Sequence, residues 1–487
     1  IAALAKKADY FSDDDDLRKR PIYYDHIRTG AAIFAAGGRV RFAEGKSVFA
    51  RNKCIKGGAG IYAARGAQID IAGPTTHVLF EDNEAPLTAD YATAHNGGAI
   101  RIYGANLHIT DKANVEIVRS KSDISGSVHI HADTYDWQWP ASLTVSEKAR
   151  LTVADGEQCA YGAILVSSYV NTEFDRPNFE PGTPEYDQFA LLKVTTGGQV
   201  VISGNKAVCS GVWQKQGVKG SGAGLFIARG KVLVDGQESL LLVDSNTAED
   251  MAGGVVLLPF PGFPTLLIAR NGGKLHIRNN VAATMAGGMG LLAGSEVVIT
   301  GKGSEMVLSG NDGGQNGGGL YSLSSTVRVA DHATLLVVNN TAVNGGAGIF
   351  VGGNSSVAIV ERPPWELDRF AEGDLHPEHR LFGSDQYQYP AKTLERLIEW
   401  KANETQRHHH EIEPDWRGQK NFALEVKHNK LTSSVPSSEG GGAGILVMPG
   451  SSLRIDRNSL FEGNDAGPMN GGGLVMATNV INPGNIG

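Results

Sequence analysis

Cysteine is scarce in this chain: three residues in 487, at Cys54, Cys159 and Cys209. Three thiols cannot staple a disulfide-framed mini-domain or complete a four-ligand zinc site, so the core must be hydrophobic. A basic footprint is also lacking, since 44 Lys+Arg stand against 52 Asp+Glu for a net charge of −8. That balance argues against a nucleic-acid or anionic-membrane partner. Long apolar runs are missing as well. The longest uncharged stretch, Met251–Ala269, holds Pro259, Pro261 and Pro264 with three glycines, which breaks a membrane helix and reads as two short strands around a turn. The start at Ile1, without Met or a signal peptide, is expected of a processed product or one part of a longer protein.

Glycine, by contrast, is abundant, with 63 residues where the usual share is about 7%. It recurs in register. Gly-Gly-Ala-Ile-type starts fall at Gly30, Gly57, Gly97, Gly126, Gly162, Gly222, Gly253, Gly287, Gly317, Gly345, Gly442 and Gly471. Each start precedes three short alternating runs. The third closes on an Asn at Asn52, Asn83, Asn205, Asn246, Asn280, Asn311, Asn340, Asn429 and Asn464, with Ser120 and Gly156 in its place in two copies. That makes eleven full units and one truncated unit.

Units as short as Gly30 to Gly57 hold three five-residue strands and three turns, the content of one parallel β-helix coil. A propeller blade needs four antiparallel strands and about 40 residues, and a helical solenoid lacks period-two alternation. The pattern therefore predicts an all-β, right-handed parallel β-helix, the hand that parallel crossovers almost always take. Inward Ile, Leu and Val should stack about 4.8 Å apart, and eleven coils make a rod of roughly 50 Å. The recurrent Asn is expected to adopt a left-handed corner conformation and to hydrogen-bond the next coil as an amide ladder.

The paired motifs Gly97 to Ile100 and Phe-x-x-Asn (Phe49 to Asn52, Phe80 to Asn83, Phe461 to Asn464) resemble the repeats of the polymorphic membrane protein family of surface adhesins. More loosely they are similar to pectin-lyase-like β-helix proteins. The resemblance covers about Gly30 to Asn464 and implies an extracellular, surface-displayed β-helix used in adhesion or assembly.

Insertions into a repeat array mark loops on one face. Three of them, Asp133–Pro140, Ser168–Gln188 and Pro259–Pro264, share the corner between first and second strands. They carry Tyr135, Trp137, Trp139, Tyr169, Phe174, Phe179, Tyr186, Phe260 and Phe263, a candidate edge for stacking glycan or protein, or for packing loop on loop. The largest insertion, residues 361–420, has 22 charged residues in 60 and an amphipathic helical pattern over Ala391–Ala402. It reads as a small, partly helical subdomain; residues 1–29 read as an N-terminal arm or cap, and 30–487 as the β-helix. His408 to His410, His376 with His379, and the run Asp13 to Asp16 lack the spacing of a metal site and read as solvated polar segments. No metal and no cofactor is expected.

Cys159 and Cys209 follow the third strand at the same corner of consecutive coils, a placement that predicts a disulfide between them and a free Cys54. Sequons at Asn339, Asn354 and Asn403 fall in predicted turns or the insertion, where a glycan fits.

An enzyme of the polysaccharide-cleaving kind needs two or three converging carboxylates, or a bound Ca²⁺ with a basic residue. The strand acids Asp70, Glu116, Asp235 and Asp244 are isolated in sequence, and the Asn-Thr-Asp and Gly-His-Gly motifs of polygalacturonase-like proteins are missing. The expectation is a non-enzymatic extracellular structural protein that associates with itself or with other subunits through open coil ends. A surface adhesin binding glycan or protein at the aromatic corner is the alternative.

Overall fold

The computed structural model describes residues 32–54, 57–85, 97–122, 126–133, 140–169, 190–209, 219–259, 265–360, 422–433, 441–469 and 471–476. The proposed arm at 1–29, the insertion 361–420 with its helical pattern, and the His and Asp runs within them lie outside these residues.

The described chain is an all-β parallel β-helix. Its strands stack into three long parallel sheets of 12, 11 and 11 strands, here sheets A, B and C. The coil Leu320–Ala342 shows the plan: Leu320–Leu323 joins sheet A, Thr326–Ala330 sheet B and Thr334–Val338 sheet C. Successive coils pair in register, as Met289, Leu320 and Ile349 do in sheet A.

Alternation places one row of each strand inside. In sheet C the inward row runs Phe49, Phe80, Ile117, Val153, Ile202, Val243 through to Val426 and Phe461. Between the ends these side chains are essentially sealed from water and belong to one continuous core. Burying a side chain of this size is worth about 1.5–3 kcal/mol, so the rod is held by many small equal contributions rather than one centre.

A fourth, two-residue strand appears in each of eight coils just after the ladder position, as at Lys121–Ser122, Glu157–Gln158 and Thr247–Ala248. In sequence this segment reads as turn. Pairing arises because the stacked corners bring successive backbones into ladder register, for example Lys121 with Glu157.

Among the described residues no helix is long and apolar enough to cross a membrane.

Candidate functional site

Three features carry the chemistry: the internal Asn ladder, the outer face of sheet A, and the end coils. The ladder is nearly continuous. Asn246 donates from both N–H and Nδ2 to Asn280 Oδ1 at 3.0 Å, and Asn280 repeats this to Asn311 and Asn311 to Asn340. The second Nδ2 proton reaches back to the previous coil, as from Asn280 to the Val243 carbonyl at 3.1 Å. The series runs from Asn205 to Asn464, with a separate rung joining Asn52 to Asn83.

The expected left-handed backbone belongs not to these Asn but to the residue before each. Arg51, Asp82, Ser245, Asn279, Asn339 and His428 have φ between 51° and 58°. A left-handed residue there turns the chain at the corner and aims the next side chain into the core, where its amide finds the neighbouring coil.

Cys159 and Cys209 are joined, with S–S 2.01 Å and Cα–Cα 4.1 Å, while Cys54 is buried and free, its Sγ 3.1 Å from the Gly57 carbonyl. Asn339 and Asn354 are exposed on corners, and Asn403 lies outside the described residues.

All three aromatic insertions leave strands of sheet A (Val128–Asp133, Ile164–Tyr169, Val255–Leu258) and return to sheet B, hence one shared corner. Tyr135, Trp137, Trp139, Phe174, Phe179, Tyr186, Phe260 and Phe263 lie outside the described residues, and Tyr169 is described in its backbone only.

The outer face of the sheet A strands beside those insertions is not simply apolar: Tyr62, Arg101, His129 and His131 are buried there, and Tyr103 and Ser167 half-buried. Tyr62, Arg101 and His129 form one cross-strand row, and Tyr103, His131 and Ser167 form the next. The Arg101 guanidinium lies 5.3 Å from the ring centres of both Tyr62 and Tyr103, and Tyr103 stacks on His131 at 5.1 Å. Ser167 Oγ is 2.9 Å from His129 Nε2 and 2.9 Å from His131 Nδ1, so one hydroxyl bridges the two imidazoles, with the direction of each hydrogen bond set by the tautomers. The sequence reading passed over this cluster. The signal was Val128-His129-Ile130-His131, where period two sends both imidazoles to the same face.

Each isolated strand acid is engaged across coils. Asp70 accepts from Arg39 and Gln68 and faces His108; Asp235 accepts from Arg270 and Asn271; Asp244 accepts from Arg278 and Asn279; Glu116 accepts from Asn114 beside His77. Burial works against the Asp70 charge, yet the Arg39 and Gln68 hydrogen bonds and the Arg39 and His108 charges outweigh it and hold the carboxyl below its ordinary range.

The first and last described coils differ from those between them. Leu474 and Met476 in the last described strand are 42% and 59% exposed. Leu474 and Met476 continue the inward rows of Ile445 and Val447. Ile33, Val40, Phe42 and Phe49 at one end, and Leu453, Ile455 and Phe461 at the other, are only partly buried against the core.

Comparison with protein-family models, with curated proteins and with solved structures finds no match for the chain.

Proposed function

We propose that this chain is a non-enzymatic extracellular structural protein, a β-helix building block of a surface filament, appendage or coat that assembles through its open coil ends. The observation that carries the reading is the partly exposed core of the first and last described coils, because apolar rows and strand edges of a solenoid are what a stacked neighbour would cover. The ladder gives that stacking a direction. Among the described residues Asn52 Oδ1 accepts from no earlier rung, and the Asn464 N–H has no later rung to reach. One end is an acceptor and the other a donor, so head-to-tail contact pairs them and head-to-head contact does not. The Cys159–Cys209 disulfide and the exposed Asn339 and Asn354 favour an oxidising, extracellular setting. The resemblance to polymorphic membrane protein repeats points the same way.

Electron microscopy of the chain at rising concentration tests this reading. Regular fibres that Leu474→Lys and Met476→Lys abolish are the expected result; rods that stay single at every concentration would overturn it.

Adhesion is the second reading, favoured by the sequence of three aromatic insertions whose flanking strands share the sheet A to sheet B corner, beside the Tyr62, Arg101, Tyr103 and His131 stack. A glycan array comparing the natural chain with Trp137→Ala and Trp139→Ala distinguishes it. Loss of a specific glycan signal in both variants is the adhesin outcome.

A further inference from the structure

The Asn ladder breaks once, across two coils, and the break is chemically organised. Where Asn would stand, coil three has Ser120 and coil four has Gly156, and Asn83 on one side and Asn205 on the other are the flanking rungs. In the coils of Asn246, Asn280, Asn311, Asn340 and Asn429 the ladder Asn faces a glycine, whereas the Asn205 coil has Ala163 at that position. A Cβ built on Gly254 would lie 3.0 Å from Asn280 Nδ2, and one on Gly288 3.0 Å from Asn311 Nδ2. In coil four the glycine stands on the opposite wall and a serine takes the facing position. Gly156 stands on the ladder side and Ser127 takes the facing glycine position, its backbone pairing as Gly254 and Gly288 do in their coils.

The exchange returns less than it removes, since a hydroxymethyl group replaces a carboxamide. A Cβ at Gly156 would lie 2.9 Å from Ser127 Oγ, 3.0 Å from Asn205 Oδ1 and 3.1 Å from the Ser120 carbonyl, so several oxygens converge there. Ser120 Oγ, Ser127 Oγ and, one row on, Gln158 Oε1 are buried side-chain atoms with no hydrogen-bond partner among the described residues. The residues that carry them are only 1–2% exposed. A buried hydroxyl left unpaired costs about as much as a lost hydrogen bond, and native proteins satisfy such groups with internal water.

We infer that the ladder break is a binding site for ordered internal water, which carries the hydrogen-bond chain from Asn83 towards Asn205 in place of the missing carboxamides. The lining is neutral oxygen without a carboxylate, and three or four partners suit water, whereas a hard cation asks for six or more oxygens and negative charge. The location accounts for the place of the disulfide. Cys159 lies three residues beyond Gly156 and is bonded to the next coil, so a covalent link crosses the corner next to the rung where amide hydrogen bonding stops.

A crystal structure at about 1.5 Å, or better, of the whole chain tests this, read beside those of Ser127→Ala and Ser120→Asn. At least one density peak within hydrogen-bond distance of Ser120 Oγ and Ser127 Oγ is expected in the natural chain. Ser127→Ala should lose or displace that peak, and Ser120→Asn should expel water from its own coil with the introduced carboxamide accepting from Asn83. Dry packing, with the two hydroxyls bonded to each other or to backbone carbonyls, would overturn the inference. So would a peak with five or more oxygens at cation distances.

Discussion

Asn340 Nδ2 donates to Asn429 Oδ1 at 3.0 Å although the two residues are 89 apart in sequence. Around them Val337 pairs with Val426 as any neighbouring coils pair. The whole 361–421 segment therefore leaves and re-enters the rod without disturbing its register, at the corner between sheets B and C. The preceding coil makes that corner with Asp331, His332 and Ala333 alone.

Replacing residues 361–422 with that Asp-His-Ala turn should leave the β-helix intact, because the rungs on either side already touch. The expected result is an unchanged far-ultraviolet circular dichroism shape and a melting temperature within a few degrees of the natural chain. Collapse of the β signal would mean that the insertion holds the coils together.

Asn311→Ala should be far more costly than its size suggests. Its Oδ1 accepts from the Asn280 N–H and Nδ2, and its Nδ2 donates to the Ile277 carbonyl and Asn340 Oδ1, all in the buried interior. Leaving these unmet should cost about 3 kcal/mol. Asn52→Ala, at the more open end, should cost about 1 kcal/mol. Urea titration checks the order, and equal midpoints for the two variants would contradict a cooperative ladder.

Thiol counting addresses the cysteines. In denaturant without reductant one thiol per chain should react, that of Cys54, and three after reduction. Reduction should also speed hydrogen exchange in Arg150–Ala154 and Gln199–Ser203 before the C-terminal coils, since closing a 50-residue loop is worth about 4 kcal/mol in the chain-entropy account. Uniform loss of protection along the rod would count against a local staple.

Acid should weaken the rod through particular carboxylates. The His276 hydrogen bond holds Glu305 below its ordinary range, against the opposing effect of burial and with help from the His276 and Lys274 charges; Asp70 is also held low. A carboxyl with a depressed folded pKa contributes stability that is fully present above its unfolded value and is lost as pH falls through the folded value. Melting temperature should hold above about pH 5 and drop below about pH 4, with a shallower drop in Asp70→Asn and Glu305→Gln. An identical acid slope in all three proteins would remove these two groups from the account.

Sequence by itself determined the architecture, because a β-helix is a local rule repeated. Period-two apolar runs, paired glycines and a recurrent Asn specify one coil, and stacking the same coil specifies the sheets and their register. Phe49 over Phe80, with ring centres 4.8 Å apart, was legible as two copies of one motif. What the sequence could not decide lies between coils and not within them. The left-handed φ of Arg51 and Asn339, one residue ahead of the expected place, depends on how the corner must turn to point the next amide inward. The meeting of His129 and His131 on Ser167 joins strands on either side of an insertion, 36 to 38 residues apart. The trade of Ser127 for the amide missing at Gly156 is visible only across the interior, where two walls of the same coil share one space. Periodicity reports which face a residue occupies, whereas only the closed coil decides which residue stands opposite it.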